Sequence, residues 1–219
     1  MAELPLFPLN SVLFPGMPLK LHIFEERYKL MINECIDKHL PFGVVLIESG
    51  VDAMGPLARP HSIGCTAHIT QVQRLPFGRM NILAMGRERF RINALHADKT
   101  YLTGDIEYIP LPQDDRRLTA RGARRLAVLL KKYLGTLENA GQLHFDESQL
   151  PTDALSLGYL AAVVLQTTDM EDKQKLLAAD STSHLMRELN MLYQREVALL
   201  EIMLSQVDVT NGDTPFSLN

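Results

Sequence analysis

Leu4–Tyr28 reads LPLFPLNSVLFPGMPLKLHIFEERY, and its punctuation decides how the fold begins. The apolar runs Leu4–Leu9 and Val12–Phe14 are short and bounded or cut by proline. Pro5, Pro8, Pro15 and Pro18 cannot donate to a sheet ladder, so the strands they punctuate belong at edges, starts or bulges. Phe14-Pro15-Gly16-Met17-Pro18 is a turn, and Gly16 can take the positive φ that a type II turn needs after Pro15. Leu19–Phe24 then alternates as a strand and runs into the charged cluster Glu25-Glu26-Arg27-Tyr28. The stretch predicts the opening of a small, irregular β domain whose strands turn sharp corners.

Downstream, Arg27–Lys38 places Tyr28, Met31, Ile32, Cys35 and Ile36 on one helical stripe. His39-Leu40-Pro41 ends it. Phe42–Ile47 (FGVVLI) is a continuous apolar run, the pattern of a strand buried on both faces. Glu48–Ser62 is broken by glycine and proline and predicts a loop. Gly64–Leu75 alternates, Pro76-Phe77-Gly78-Arg79 is a hairpin turn, and Met80–Met85 returns. Gly86 is expected to interrupt before Arg87–Leu95 continues, and Tyr101–Pro110 supplies another strand. About five or six antiparallel strands with one early helix should curl into a partly closed barrel, because a flat sheet would leave open edges.

The pattern changes at Pro110–Asp115, so the expected division is residues 1–112, mainly β, and 113–219, mainly α. Leu118–Leu137 carries Leu126, Leu129, Leu130, Tyr133, Leu134 and Leu137 on an amphipathic face. Ala140–Pro151 predicts a loop. Asp153–Gln166 is apolar nearly all round and should be the most buried helix. Thr168-Asp169-Met170-Glu171 has capping-box spacing and should start a short helix through Ala179. A last helix, Thr182–Gln206, carries Leu185, Leu189, Leu192, Leu199 and Met203 at heptad-like spacing, which should pack internally. Val207–Asn219 should be a polar, frayed tail.

The chain has 219 residues, 46% hydrophobic and 22% charged, with a net charge of -4. That is ordinary for a globular protein with a real core. An acidic balance and the absence of tryptophan give no general pull toward nucleic acid or anionic membrane. No apolar run approaches the roughly 20 residues of a spanning helix, and no secretory leader is read at the N-terminus. The expected compartment is the cytoplasm. Cys35 and Cys65 form no C-x-x-C pair and read as reduced, buried thiols.

Catalytic and cofactor motifs are missing. There is no G-x-x-x-x-G-K-[ST] loop, no G-x-G-x-x-G and no G-x-S-x-G elbow in this sequence. The histidines are scattered; His61 and His68, with Cys65 between them, are better read as surface groups beside a buried thiol than as metal ligands. His22 and Glu25 lie on opposite faces of a strand end. Glu25 and Glu26 fit a helix N-terminus, where the dipole favours acids. The basic run Arg116, Arg117, Arg121, Arg124 and Arg125 is read as a solvated helix face balanced by Asp114 and Asp115 rather than a phosphate or RNA contact. Phe24, Tyr28 and Phe77 are large apolar groups where exposure would mark a protein-binding patch. Phe24, Arg27, Tyr28 and Phe77 are therefore the candidate polypeptide-contact surface, with no catalytic, cofactor or metal residues assigned.

The runs LPLFPL (Leu4–Leu9), VLFPG (Val12–Gly16), PLKLHIFEERY (Pro18–Tyr28), FGVVLI (Phe42–Ile47), IGCTAHI (Ile63–Ile69) and GRERFRI (Gly86–Ile92) resemble the N-terminal substrate-binding domain of the Lon family of ATP-dependent proteases. DKQKLLAADSTSHLMREL (Asp172–Leu189) is similar to the helical part of that domain. The resemblance covers nearly the whole chain. It implies an α+β fold in which a PUA-like, mostly antiparallel β barrel precedes an α-helical bundle. The family's ATPase and Ser-Lys peptidase modules would lie after this domain, and neither motif occurs here. The resemblance therefore implies a stand-alone, non-enzymatic module that recognises polypeptide clients or a partner protein, as a monomer or weak homodimer. An RNA-binding PUA-like protein, and a small-molecule binder using a cleft between barrel and bundle, are the rival readings.

Overall fold

β6 (Met80–His96) is the spine of the sheet, and it was expected to break at Gly86. It continues as one strand, but its β2 partner ends at Met85 and its pairing with β5 shifts register between Gly86 and Arg89. It pairs antiparallel with β2 (Pro18–Ile23), β5 (Ile63–Arg74) and β7 (Thr103–Tyr108). The glycine serves a different purpose from a break. A Cβ on Gly86 would lie 2.2 Å from the Phe14 carbonyl oxygen. Gly86 N donates to Met17 O and Gly16 N donates to Gly86 O, both at 2.9 Å, so the opening turn is laid directly on the strand. Glycine in a strand marks such an approach of another backbone. The turn has the predicted geometry, with Gly16 at φ 81 and Met17 N bonded to Phe14 O.

The computed structural model describes residues 2–49, 59–139, 150–166 and 169–211, with side chains described over 3–49, 59–138, 150–166 and 169–203. The described chain folds as two compact units, residues 1–112 with 162–180, and residues 113–161 with 181–219.

In the first unit β1 (Ala2–Leu9) gives its first half to β7, antiparallel, and its second half to β3 (Phe42–Ser49), parallel. Strand neighbours therefore run β1-β7-β6-β5-β3 and return to β1. Each half of β1 has one strand partner, which is where Pro5 and Pro8 are tolerated. β3 lies between β1 and β5 and is buried from Phe42 to Leu46, as its unbroken apolar run predicts. Part of the expected loop after it is a short strand, β4 (Arg59–Pro60), paired back on β3; residues 50–58 lie outside the described residues. Helix α1 (Glu26–Lys38) turns Tyr28, Met31, Ile32 and Cys35 onto Phe7, Ile23, Phe42, Met80 and Ile82. Its end is a left-handed cap at His39, with Leu40 N bonded to Cys35 O. Leu4, Leu6, Val45, Phe90 and Ile106 form a smaller core.

The short helix α4 (Met170–Leu177) groups with these strands. Asp169 caps it, accepting from Glu171 N, and Thr168 of the expected capping box lies outside the described residues. Three bonds tie the segment down. Gln174 Nε2 donates to Ile63 O at 3.0 Å, Arg89 donates to Ala179 O at 2.9 Å, and His61 meets Glu171 at 3.0 Å.

In the second unit α2 (Arg116–Asn139) and α5 (Thr182–Asn211) pack together, joined by the first turns of α3 (Ala154–Val164). Leu126, Leu130, Tyr133, Leu134 and Leu137 are buried on α2, and Leu185, Leu189, Tyr193 and Val197 on α5. Tyr133 and Tyr193 meet edge-to-face at 5.2 Å, and Tyr193 OH donates to Ala161 O. The heptad-like stripe of α5 is internal only in part, since Leu199 and Met203 are exposed. α3, expected to be the most buried helix, hides Leu157, Gly158, Ala161 and Ala162 and leaves Leu155 and Leu160 half-buried. Helix α5 also continues through Val207–Asn211, which composition assigned to a frayed tail.

Candidate functional site

Phe24 and Phe77 lie past the same end of the β2–β6 ladder. Ile23, the last residue of β2, pairs with Met80, the first of β6. Phe24 follows the one, and Phe77 precedes the other by the length of the tip turn. Phe77 is 87% exposed and Phe24 56% exposed. Neither ring is left bare because the chain lacks a core. Alternation sends Ile23 inward, so its neighbour Phe24 must point outward. In the turn Pro76–Gly78, Phe77 takes φ 63 and Gly78 φ 70, a left-handed pair that holds the Phe77 side chain away from the sheet. Leu75 N bonds to Arg79 O and closes the turn.

The tip is anchored. Lys29 Nζ donates to Phe77 O at 2.8 Å and to Glu26 at 2.7 Å, and Arg74 donates to Asn33. One face of α1 therefore holds the hairpin. Leu30, next to Lys29 on α1, is 58% exposed. Sequence reasoning missed Leu30 because it sits off the apolar stripe of α1, and that position is its only signal.

Arg27 and Tyr28 have other surroundings. Tyr28 is 6% exposed and stacks on Phe7 with ring centroids 4.0 Å apart. Arg27 covers the outer face of that ring at 4.5 Å and pairs with Glu25 at 3.0 Å. The tyrosine thus belongs to the core, and the arginine is its lid. Of the candidate residues the structure brings Phe24 and Phe77 to one exposed end and places Tyr28 beneath the surface.

Next to the phenylalanines, β2, β6 and β5 form a three-stranded ribbon. On it a cleft of about 530 Å³ is lined by Lys20, Leu21, His22, Gln71, Val72, Gln73, Asn81, Ile82 and Leu83. A polar row crosses it, with His22 Nδ1 2.7 Å from Asn81 Oδ1 and Asn81 Nδ2 donating to Gln73. The His22 ring stacks beside Phe24 at 5.9 Å. β2 pairs only with β6, and β5 has no β3 partner beyond Ala67 among the described residues. Both outer edges of the ribbon therefore carry ladder groups that an added strand could pair.

The other groups weighed from sequence lie apart from this end. His61 is occupied by Glu171. Cys65 is buried, and desolvation pushes its thiol up to about 12. His68 is shifted down, chiefly by burial. Among the described residues no three His, Cys, Asp or Glu side chains gather as a metal site, and no helix is long and apolar enough to cross a membrane.

A family model for the substrate-binding domain of ATP-dependent protease La (LON) matches residues 3–195. The chain is similar to the Lon protease of Parabacteroides distasonis, 26% identical over 216 residues that make up 96% of this chain and 26% of that protein. It is 28% identical to the Lon protease of Flavobacterium johnsoniae over 114 residues, 52% of this chain and 14% of that protein. The chain thus spans no more than 26% of the length of these relatives. Among solved structures, a Lon N-terminal domain protein from Xanthomonas campestris matches with a TM-score of 0.61 at 24% identity, covering 86% of this chain and 97% of that one. The N-terminal domain of Mycobacterium avium complex Lon protease matches with a TM-score of 0.63 at 17% identity, covering 88% and 98%. At these identities the structural likeness is one of fold.

Proposed function

The chain belongs to the LON substrate-binding domain family, and from that premise we propose that it is a non-catalytic recognition module for polypeptides, acting in protein quality control. The observation that carries the reading is the pair Phe24 and Phe77, exposed beside a ribbon whose outer edges have no strand partner among the described residues. Large exposed apolar groups lose water favourably against a client's apolar side chains. A free edge supplies main-chain bonds to any extended segment, whatever its sequence, and the neighbouring cleft supplies preference for side chains. Such a combination suits clients that share exposed backbone and apolar residues rather than one sequence.

The test uses the full chain and a reduced, alkylated, permanently unfolded polypeptide, with binding followed by fluorescence anisotropy. Phe24→Ser with Phe77→Ser should weaken binding by about tenfold or more, as loss of aromatic anchors does. Unchanged affinity in this variant rejects the surface. No measurable affinity in the parent protein rejects the reading itself.

A further inference from the structure

Within the helical unit, α2, the start of α3 and Thr182 of α5 enclose a cleft of about 550 Å³. Its floor is apolar and shallow because α2 presents Ala120 and Ala123 there, with Leu155 opposite. Arg116 and Arg124 of the same helix also line it, and Ala127 continues the lining one turn beyond Ala123. Inside it, Thr119 Oγ1 is enclosed and has no hydrogen-bond partner among the described residues.

The acids beside this cleft are not paired with its arginines among the described residues. Asp114 and Asp115 precede the arginine run, but both are committed elsewhere. Asp114 accepts from the main-chain N and the hydroxyl of Ser183, and its carboxyl is held down at about 2 by that bonding. Asp115 caps α2, accepting from Arg117 N and Leu118 N. Asp153, on the cleft wall, caps α3 through Ser156 N. Arg116, Arg117, Arg121 and Arg124 make no ion pair among the described residues.

We propose that this cleft binds an acidic polypeptide segment in which one apolar residue lies midway between two carboxylates. Arg116 and Arg124 are separated by about 12 Å along α2 at 1.5 Å per residue. An extended chain advances about 3.3 Å per residue, so carboxylates about four positions apart span that distance. Even spacing puts both carboxylates and the residue between them on one face of the bound strand. The arginines take the carboxylates, and the alanine floor takes the apolar side chain. The site is distinct from the Phe24 and Phe77 surface and uses different chemistry, so either can fail while the other stands.

The experiment measures anisotropy of a capped, labelled peptide, Ser-Glu-Ser-Leu-Ser-Glu-Ser, with the full chain at low salt. The glutamine version should bind about tenfold more weakly, and so should the version with serine for leucine. Arg116→Glu with Arg124→Glu should abolish the preference, and Ala123→Leu, which fills the floor, should weaken binding with the charges intact. Arg117→Glu with Arg121→Glu, off the cleft, should retain the preference. Circular dichroism melts confirm that each variant is folded. Equal affinity for the glutamate and glutamine peptides overturns the proposal. So does unchanged binding in Arg116→Glu with Arg124→Glu, or binding of a single-stranded RNA oligonucleotide that outcompetes the peptide and depends equally on Arg117 and Arg121.

Discussion

The ammonium of Lys29 donates to the main-chain carbonyl of Phe77 at 2.8 Å, across 48 positions of sequence. One bond thus joins the first turn of α1 to the tip of the β5–β6 hairpin. It fixes where the most exposed aromatic ring of the candidate surface stands. Lys29→Met keeps the side-chain length and removes the donor. The tip should loosen at a cost of about 1 kcal/mol, as for a single charged bond to a carbonyl near the surface. Hydrogen exchange at Leu75 N should quicken, and affinity for unfolded polypeptide should fall with both phenylalanines still present. Unaltered exchange and affinity would remove Lys29 from the account.

Tyr28 separates core from surface. Its ring lies between Phe7 and the Arg27 guanidinium. Tyr28→Ala should cost roughly 3–5 kcal/mol, the range for a large buried aromatic. Urea unfolding gives the stability. Where the variant remains folded, client affinity per folded molecule should match the parent, in contrast to the Phe24 and Phe77 variant.

Gly86 and Gly16 make opposite demands on an added methyl. At Gly86 a Cβ would meet the Phe14 carbonyl oxygen at 2.2 Å, and two backbones cannot both give way. Gly86→Ala should cost about 3 kcal/mol or prevent folding. At Gly16 a Cβ has nothing within 4 Å, and only the φ of 81 opposes it. Gly16→Ala should cost about 1 kcal/mol. The urea midpoints of the two variants should rank in that order.

Glu34 links pH to stability. The Lys38 ammonium and the Tyr101 hydroxyl, bonded to its carboxylate, hold its pKa down at about 2 against an ordinary 4.5. A carboxyl depressed on folding stabilises the ionised native state. Its contribution is complete above the ordinary value and is lost as pH falls from about 4.5 to about 2. Thermal melts across that window should fall more steeply for the parent than for Glu34→Gln. Parallel curves would show that the carboxylate adds nothing.

Cys35 and Cys65 are both free and buried, and desolvation pushes each thiol up to about 12. Since the thiolate is the reacting form, neither should react with a thiol reagent in native buffer at neutral pH. Both should be labelled in denaturing urea. Rapid native labelling of either would contradict its burial.

Local signals carried much of this fold. The stripe Tyr28–Met31–Ile32–Cys35 marks α1, Phe42–Leu46 marks a strand covered on both faces, and Pro15-Gly16 marks the turn. Each depends on neighbours in sequence. Gly86 misled because a glycine that admits another backbone and one that ends a strand look alike in one dimension. The end of the α5 stripe misled for a related reason: heptad spacing reports what a helix can bury, and Leu199 and Met203 have no covering partner among the described residues. At the candidate site, the exposure of Phe77 follows from its turn, whereas Tyr28 could not be told from Phe24 without knowing that Phe7 lies beneath it. The hydrogen bonds that occupy Asp114 and Asp115 depend on Ser183 and a helix cap and are equally invisible to composition.

The first unit is not contiguous in the chain. Its last strand ends at Tyr108, yet Gln174, which bonds Ile63, and Ala179, which accepts from buried Arg89, come much later. A ribosome finishes the strands long before it delivers those partners. In the interval a nascent chain holds Arg89 without its acceptor and β5 without the helix that ties it down. Domains that complete themselves early can fold as they emerge, and incomplete ones expose unpaired surface. The first unit therefore stays incomplete until the chain has been made as far as Ala179.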